Sequence, residues 1–328
     1  MSFTGKIQTG SNEKKSKLTG KILSGIGGLY VVLSEDGRTL ECTARGSLRY
    51  LGTSPYPGDN VSISEKPNGK SAIENILPRK NFFTRPPAAN IDRLFISVSA
   101  ASPAPSYITT DKLICAAEYY GTEPVIIITK TDLDRIKADE ILSVYLKCGY
   151  TAFMTSSETG NGIEALRDYI FNNSDGITSV FTGESGVGKS SLINAIFPEL
   201  KLETGRLSRK ISRGRHTTRA VTLYPIVSTA SRSGAFLADT PGFGIFDLTS
   251  IKSVKKEDVV GFYREFAPYI GTCRYRSCTH LREEGCAVIE AVRSGAVPGS
   301  RHESYVKIYE EIKARDPYKN RQKGMQKK

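Results

Sequence analysis

The sequence predicts a multidomain chain: an N-terminal β-barrel, a central α/β unit on a parallel sheet, and a C-terminal α-helical unit folded around a metal. Three observations carry this expectation. Between Lys17 and Lys80, about five short apolar segments are separated by glycine-rich turns, the pattern of a small all-β unit. From Leu94 onward, continuous apolar runs alternate with helical stretches, as in a parallel sheet covered on both faces. Further on, Cys273, Cys278, His280 and Cys286 crowd together. A length of 328 residues accommodates two or three domains.

In the first unit, Lys21-Ile22-Leu23 leads into a Gly-rich turn and Leu29 to Leu33 forms a strand. Glu35-Asp36-Gly37 then turns the chain into the alternating Thr39–Thr43. Pro57-Gly58-Asp59 turns into Val61-Ser62-Ile63, and Asn68-Gly69 leads to Ser71–Ile76. Such strands fit a barrel of the OB type, a fold that does not by itself fix a function. Residues 1–16 are polar and read as a disordered basic N-terminus. The barrel is placed at 17–82, and Arg85-Pro86-Pro87 reads as a linker.

The second unit is placed at 83–250. Leu94–Val98 is a buried strand, Asp111–Tyr120 a helix, and Val125–Ile128 a second buried strand. Binding loops in such a sheet lie at the carboxyl ends of the strands. Residues 251–315 read as the metal-holding helical domain and 316–328 as a basic tail. There Ser300-x-x-Glu303 is a capping box opening a helix, whose stripe Tyr305, Ile308, Tyr309 and Ile312 packs in a core. His302 is expected on the exposed side of that helix.

Gly183-Glu184-Ser185-Gly186-Val187-Gly188-Lys189-Ser190 is a full phosphate loop. It lies between the strand Ile177–Phe181 and a helix beginning at Ser191. Backbone N–H groups of such a turn cradle phosphates, Lys189 reaches the terminal ones, and the Ser190 hydroxyl ligates Mg²⁺. Ala235–Ala238 is a strand running into Asp239-Thr240-Pro241-Gly242. Asp239 would hold Mg²⁺ through water, and the Gly242 N–H would sense the γ-phosphate. Between them, Arg213–Arg219 occupies a first switch segment, where Thr217 or Thr218, with Thr218 preferred, completes the Mg²⁺ shell.

Thr129-Lys130-Thr131-Asp132 is a guanine reader, because the Asp132 carboxylate can accept from guanine N1–H and the exocyclic amine together. Thr155-Ser156-Ser157 follows the apolar Phe153-Met154 as a second guanine loop, contributing Ser156 and Ser157. The reader precedes the phosphate loop, whereas it ordinarily follows, so this is an α/β P-loop GTPase domain with circularly permuted motifs. Phe243 stands where many GTPases carry a glutamine that orients water. His216 is the candidate replacement, as general base or water positioner; its alternative role is contact with RNA or solvent.

Three thiols and one imidazole at the spacing Cys273-x4-Cys278-x-His280-x5-Cys286 suit one closed, structural Zn²⁺. Buried thiols or a redox pair are the alternatives. Cys42, Cys115 and Cys148 read as small core residues. The net charge of +12 is uneven. Residues 1–80 carry 12 Lys/Arg against 7 Asp/Glu, and 201–220 and 313–328 each carry 7 against 1. Such basic stretches suit a polyanion such as RNA. No apolar run approaches a membrane span and no apolar signal core is present, so a cytoplasmic chain without membrane contact is expected.

Together these residues resemble the RsgA (YjeQ) family of circularly permuted ribosome-assembly GTPases. The resemblance covers about 17–315 and includes Ala44-Arg45-Gly46, Arg85–Asp92, Gly183–Ser191, Gly214–Thr218, Asp239–Phe243 and Cys273–Cys286. Thr129 departs from the usual Asn. The resemblance implies GTP hydrolysis to GDP and phosphate, stimulated by the small ribosomal subunit, binding to that subunit and its rRNA during late maturation, and a monomer. The competing expectations are a GTP-gated RNA-binding module with little turnover, and an ATP-using kinase, which Asp132 disfavours.

Overall fold

The computed structural model describes residues 18–50, 52–65, 71–84, 87–172, 176–200, 221–226, 235–239, 248 and 251–315. The segments 1–16 and 316–328 and the basic stretch 201–220 lie outside them.

The first five strands are β1 (Leu18–Ile26), β2 (Leu29–Ser34), β3 (Thr39–Ala44), β4 (Asn60–Glu65) and β5 (Ser71–Ile76), with a short helix α1 (Gly46–Tyr50) after β3. They close in the order β1-β2-β3-β5-β4, with β3–β5 parallel and β4 returning antiparallel onto β1. The β1–β2 hairpin turns on Gly27 and Gly28, both at positive φ, the conformation a two-residue hairpin requires. Alternate residues Ile22, Val32, Cys42, Val61, Ile63 and Ile73 fill the barrel. Around the expected linker, β6 (Phe82–Thr84) pairs antiparallel with β7 (Pro87–Ala89).

The α/β unit contains β8 (Arg93–Ser99), α2 (Tyr107–Tyr120), β9 (Glu123–Thr129), α3 (Arg135–Lys147), β10 (Thr151–Met154), α4 (Ile163–Asn172), β11 (Thr178–Gly183), α5 (Lys189–Ile196), β12 (Thr222–Ile226) and β13 (Ala235–Asp239). The six strands order as β10-β9-β8-β11-β13-β12. All neighbours are parallel except the edge strand β12, which is antiparallel to β13, so the sheet is mixed. Period-two alternation splits it into two cores. Leu94, Ile96, Val98, Ile126 and Ile128 face α2 and α3. Phe95, Val125, Ile127 and Phe181 face Leu166 and Ile170 of α4 and Leu192, Ile193 and Ile196 of α5. Helix α2 starts four residues earlier than the sequence suggests, because the Ser106 side chain accepts from the Thr109 N–H and caps it.

The C-terminal unit has two 3₁₀ segments, Lys256–Phe262 and Arg264–Tyr269, before α6 (Ala287–Arg293) and α7 (Gly299–Ala314). It shares the first sheet core: Val259, Tyr263, Ile308 and Ile312 join the cluster of Leu113 and Ile114. The expected capping box at Ser300 does not form. Pro298 takes the N-cap position with no side-chain cap, which puts Ser300 inside the first turn. The predicted stripe is core, with Tyr305, Ile308, Tyr309 and Ile312 all buried.

Candidate nucleotide site and metal cluster

A positive φ is uncommon outside glycine, and among the described residues three others adopt it: Asn90, Lys130 and His280. One lies at the barrel junction, one in the guanine reader and one in the Cys/His cluster.

At the carboxyl ends of the strands, β11 delivers the phosphate loop and β9 the guanine reader. Gly183, Gly186 and Gly188 all have positive φ. A Cβ on Gly183 would lie 2.4 Å from the Ser97 carbonyl oxygen, so this loop and strand approach closely only with glycine. Helix α5 begins at Lys189 after Gly188, which offers no side-chain cap; its first N–H groups are therefore available to an anion. Val187 is buried, Lys189 and Ser190 are half-buried, and Ser191 is exposed.

The reader is bonded directly to this loop. The Thr129 hydroxyl donates to the Val187 carbonyl at 2.6 Å, with Val98 O at 3.3 Å. The Lys130 ammonium donates to Gly186 O at 2.7 Å and also reaches Ser102 O. Thr131 binds Thr155 O through its hydroxyl at 3.2 Å, which joins the two expected guanine loops. Thr155 and Ser156 are fully buried, while Ser157 and Asp132 are exposed. Gly162 holds the second loop shut, since a Cβ there would lie 1.9 Å from Met154 O. Residues 183–191 and 129–132, separated in sequence, thus form one site. Asp239 ends β13 beside Phe181 of β11, at the same end of the sheet. His216, Thr217, Thr218 and Gly242 lie outside the described residues.

The second cluster is Cys273, Cys278, His280 and Cys286, whose ligand atoms lie within 4.8 Å of one another. Cys273 Sγ is 3.9 Å from Cys286 Sγ, and His280 Nδ1 is 3.5 Å and 3.4 Å from those two sulfurs. With Zn–S near 2.3 Å and Zn–N near 2.0–2.1 Å, tetrahedral edges are about 3.8 Å for S···S and about 3.6 Å for S···N. The donors therefore fit a zinc ion. Burial pushes the Cys278 thiol up to about 12 and holds the His280 imidazole below its usual value. A bound cation would reverse the first effect, and the second favours the neutral, ligating imidazole.

Helix α7 supports this cluster. His302, expected to be exposed, is half-buried and donates from Nε2 to His280 O at 2.7 Å; Tyr305 donates to Thr279 O at 2.7 Å. Cys42, Cys115 and Cys148 are buried as expected.

Sequence reasoning missed one constellation. Arg301 is fully buried and paired with Asp111 at 2.5 Å and Glu265 at 2.6 Å. The available signal was its position four residues before Tyr305, inside the apolar stripe, where an arginine needs partners.

The RsgA GTPase family model matches residues 76–249, and the RsgA N-terminal domain model matches 19–73. The small ribosomal subunit biogenesis GTPase RsgA of Caldanaerobacter subterraneus subsp. tengcongensis is 40% identical over 93% of this chain and 99% of its own. That of Ruminiclostridium cellulolyticum is 38% identical over 92% and 96%. Among solved structures, YjeQ from Thermotoga maritima superposes with a TM-score of 0.76 at 34% identity, covering 91% of this chain and 99% of that one. YloQ, a circularly permuted GTPase, gives 0.73 at 32% over 93% and 98%. A circularly permuted, GTP-hydrolysing enzyme is the class that the motif order and these relatives define. The chain belongs to the RsgA GTPase family.

Proposed function

We propose that this GTPase acts on the small ribosomal subunit, assisting its late maturation and hydrolysing GTP faster when bound to it. The observation that carries the nucleotide reading is the bond network from Thr129 and Lys130 to Val187 and Gly186, which ties the expected base reader to the phosphate loop. Relatives at up to 40% identity over almost the whole chain carry the name of small ribosomal subunit biogenesis GTPase, which supports the partner; rRNA contact by a monomeric, cytoplasmic protein completes this reading. Among the described residues, no helix is long and apolar enough to cross a membrane.

In this reading the Gly183–Ser191 loop cradles the phosphates and Lys189 neutralises charge developing on them. Asp132 reads guanine, with Lys130, Thr131, Ser156 and Ser157 shaping its pocket. Ser190, Thr218 and Asp239 would hold Mg²⁺, which when bound neutralises phosphate charge. Gly242 senses the γ-phosphate, and His216 orients or deprotonates the attacking water in place of the missing glutamine. One Zn²⁺ held by Cys273, Cys278, His280 and Cys286 folds the C-terminal knuckle. The units are 17–82, 83–250 and 251–315, flanked by basic ends. Competition against bound fluorescent GDP tests the base assignment: GTP should displace it and ATP should not. Equal displacement by ATP would overturn it.

A further inference from the structure

We propose that Arg301 is a positioning residue for the nucleotide site, fixing the first turns of α2 against the phosphate loop. This rests on the nucleotide reading above. Arg301 reaches from α7 into the core between the C-terminal unit and the sheet. Its Nη1 meets Asp111 of α2 and its Nε meets Glu265, while its guanidinium lies 4.5 Å from the Tyr263 ring centroid. Asp111 is also fully buried and accepts from the Tyr145 hydroxyl at 3.1 Å.

Burying such a group contributes little net stability compared with apolar packing, so its role is placement. The rigid guanidinium fork contacts two carboxylates from two segments at once, which fixes the rotation of α2 about its axis; a lysine is a point donor without that fork. Within the five residues before Asp111, Ser106, Thr109 and Thr110 line a small cavity together with Glu184 and Val187 of the phosphate loop. A rotation that released Asp111 would move these hydroxyls relative to the loop. On its other side, Arg301 adjoins His302, and Tyr305 follows one turn later. Both hold the backbone of the metal cluster, so α7 also anchors the C-terminal knuckle to α2.

The test uses the full chain with Arg301→Met, Arg301→Lys and Asp111→Asn. Fluorescent GDP affinity and hydrogen exchange at 107–113 and 183–188 are measured, with barrel residues 61–63 as an internal reference. The Arg301→Met variant should lose about tenfold in GDP affinity, the scale of couplings carried by residues outside a site. Exchange should rise at both segments and not in the barrel, with partial rescue in Arg301→Lys. Wild-type affinity and wild-type exchange at 183–188 in folded Arg301→Met would reduce Arg301 to a docking anchor and overturn the proposal. If that variant does not fold, the same criterion applied to Arg301→Lys and Asp111→Asn decides. Failure of the wild-type chain to bind GDP would instead defeat the nucleotide reading.

Discussion

Thr129 occupies a position where asparagine is usual, yet its hydroxyl reaches the Val187 carbonyl at 2.6 Å. A threonine can serve here because the reader strand β9 and the phosphate loop are already close, so a short donor suffices. Replacing it with valine keeps the shape and leaves a buried carbonyl without this donor, which costs about 1–3 kcal/mol. Thr129→Val should therefore weaken GDP binding roughly tenfold or more; unchanged affinity in a fluorescence titration would show that the bond does not support the loop. At Asp132, replacement by asparagine removes the acceptor pair for guanine and adds a donor suited to the xanthine 2-oxo group. GTP affinity should fall by about a hundredfold while xanthosine triphosphate becomes the better competitor; retained preference for GTP would move base reading elsewhere. These residues were legible in the sequence because their constraint is local, a tetrapeptide at the end of a continuous apolar strand. Arg301 was not legible, because its partners Asp111 and Glu265 are 190 and 36 residues away and only the fold brings them together.

The elements were read well where the apolar pattern is strong. The five barrel strands and the buried strands β8, β9 and β11 follow directly from period-two or continuous apolar text. Their ends were read less well for identifiable reasons. Helix α2 starts early because Ser106 caps it, and the Ser300 capping box fails because Pro298 precedes it at the turn. The short pairing of β6 with β7 went unread because the two prolines between the apolar segments mask it. Turns also carry tight steric requirements. Gly162→Ala would place a Cβ 1.9 Å from Met154 O at a φ of +72°, so the second guanine loop must shift. We expect a several-fold loss of nucleotide affinity with little change in the barrel; crystallographic retention of the Thr155–Ser157 turn with unchanged affinity would contradict this.

Across the whole molecule, the barrel and the nucleotide sheet are joined by specific polar bonds rather than by a loose tether. Asn90 binds Gly58 O, Asn81 bonds both ways with Ile91, and Lys80 pairs with Asp92. Lys21 of β1 reaches Thr178 and lies 5.2 Å from the Phe236 ring centroid. Thr178 and Phe236 belong to β11 and β13, the strands that carry the phosphate loop and Asp239, so barrel and site share a frame. Toward the C-terminus, the Cys/His cluster would hold its segment through four ligands from one short stretch, which has little apolar content of its own. Atomic absorption should find one zinc per chain, and a chelator should lower the melting temperature and release protection at 273–286. A metal-free chain with unchanged protection there would make the cluster merely four neighbouring side chains.

On the proposed function, one GTP site answers to the small ribosomal subunit. The most direct measurement is turnover of GTP and ATP by the purified chain, with and without purified small subunits. Slow GTP hydrolysis alone, a strong rise with the subunit, and no use of ATP are expected. GTP turnover that does not respond to the subunit, or equal turnover of ATP, would contradict it.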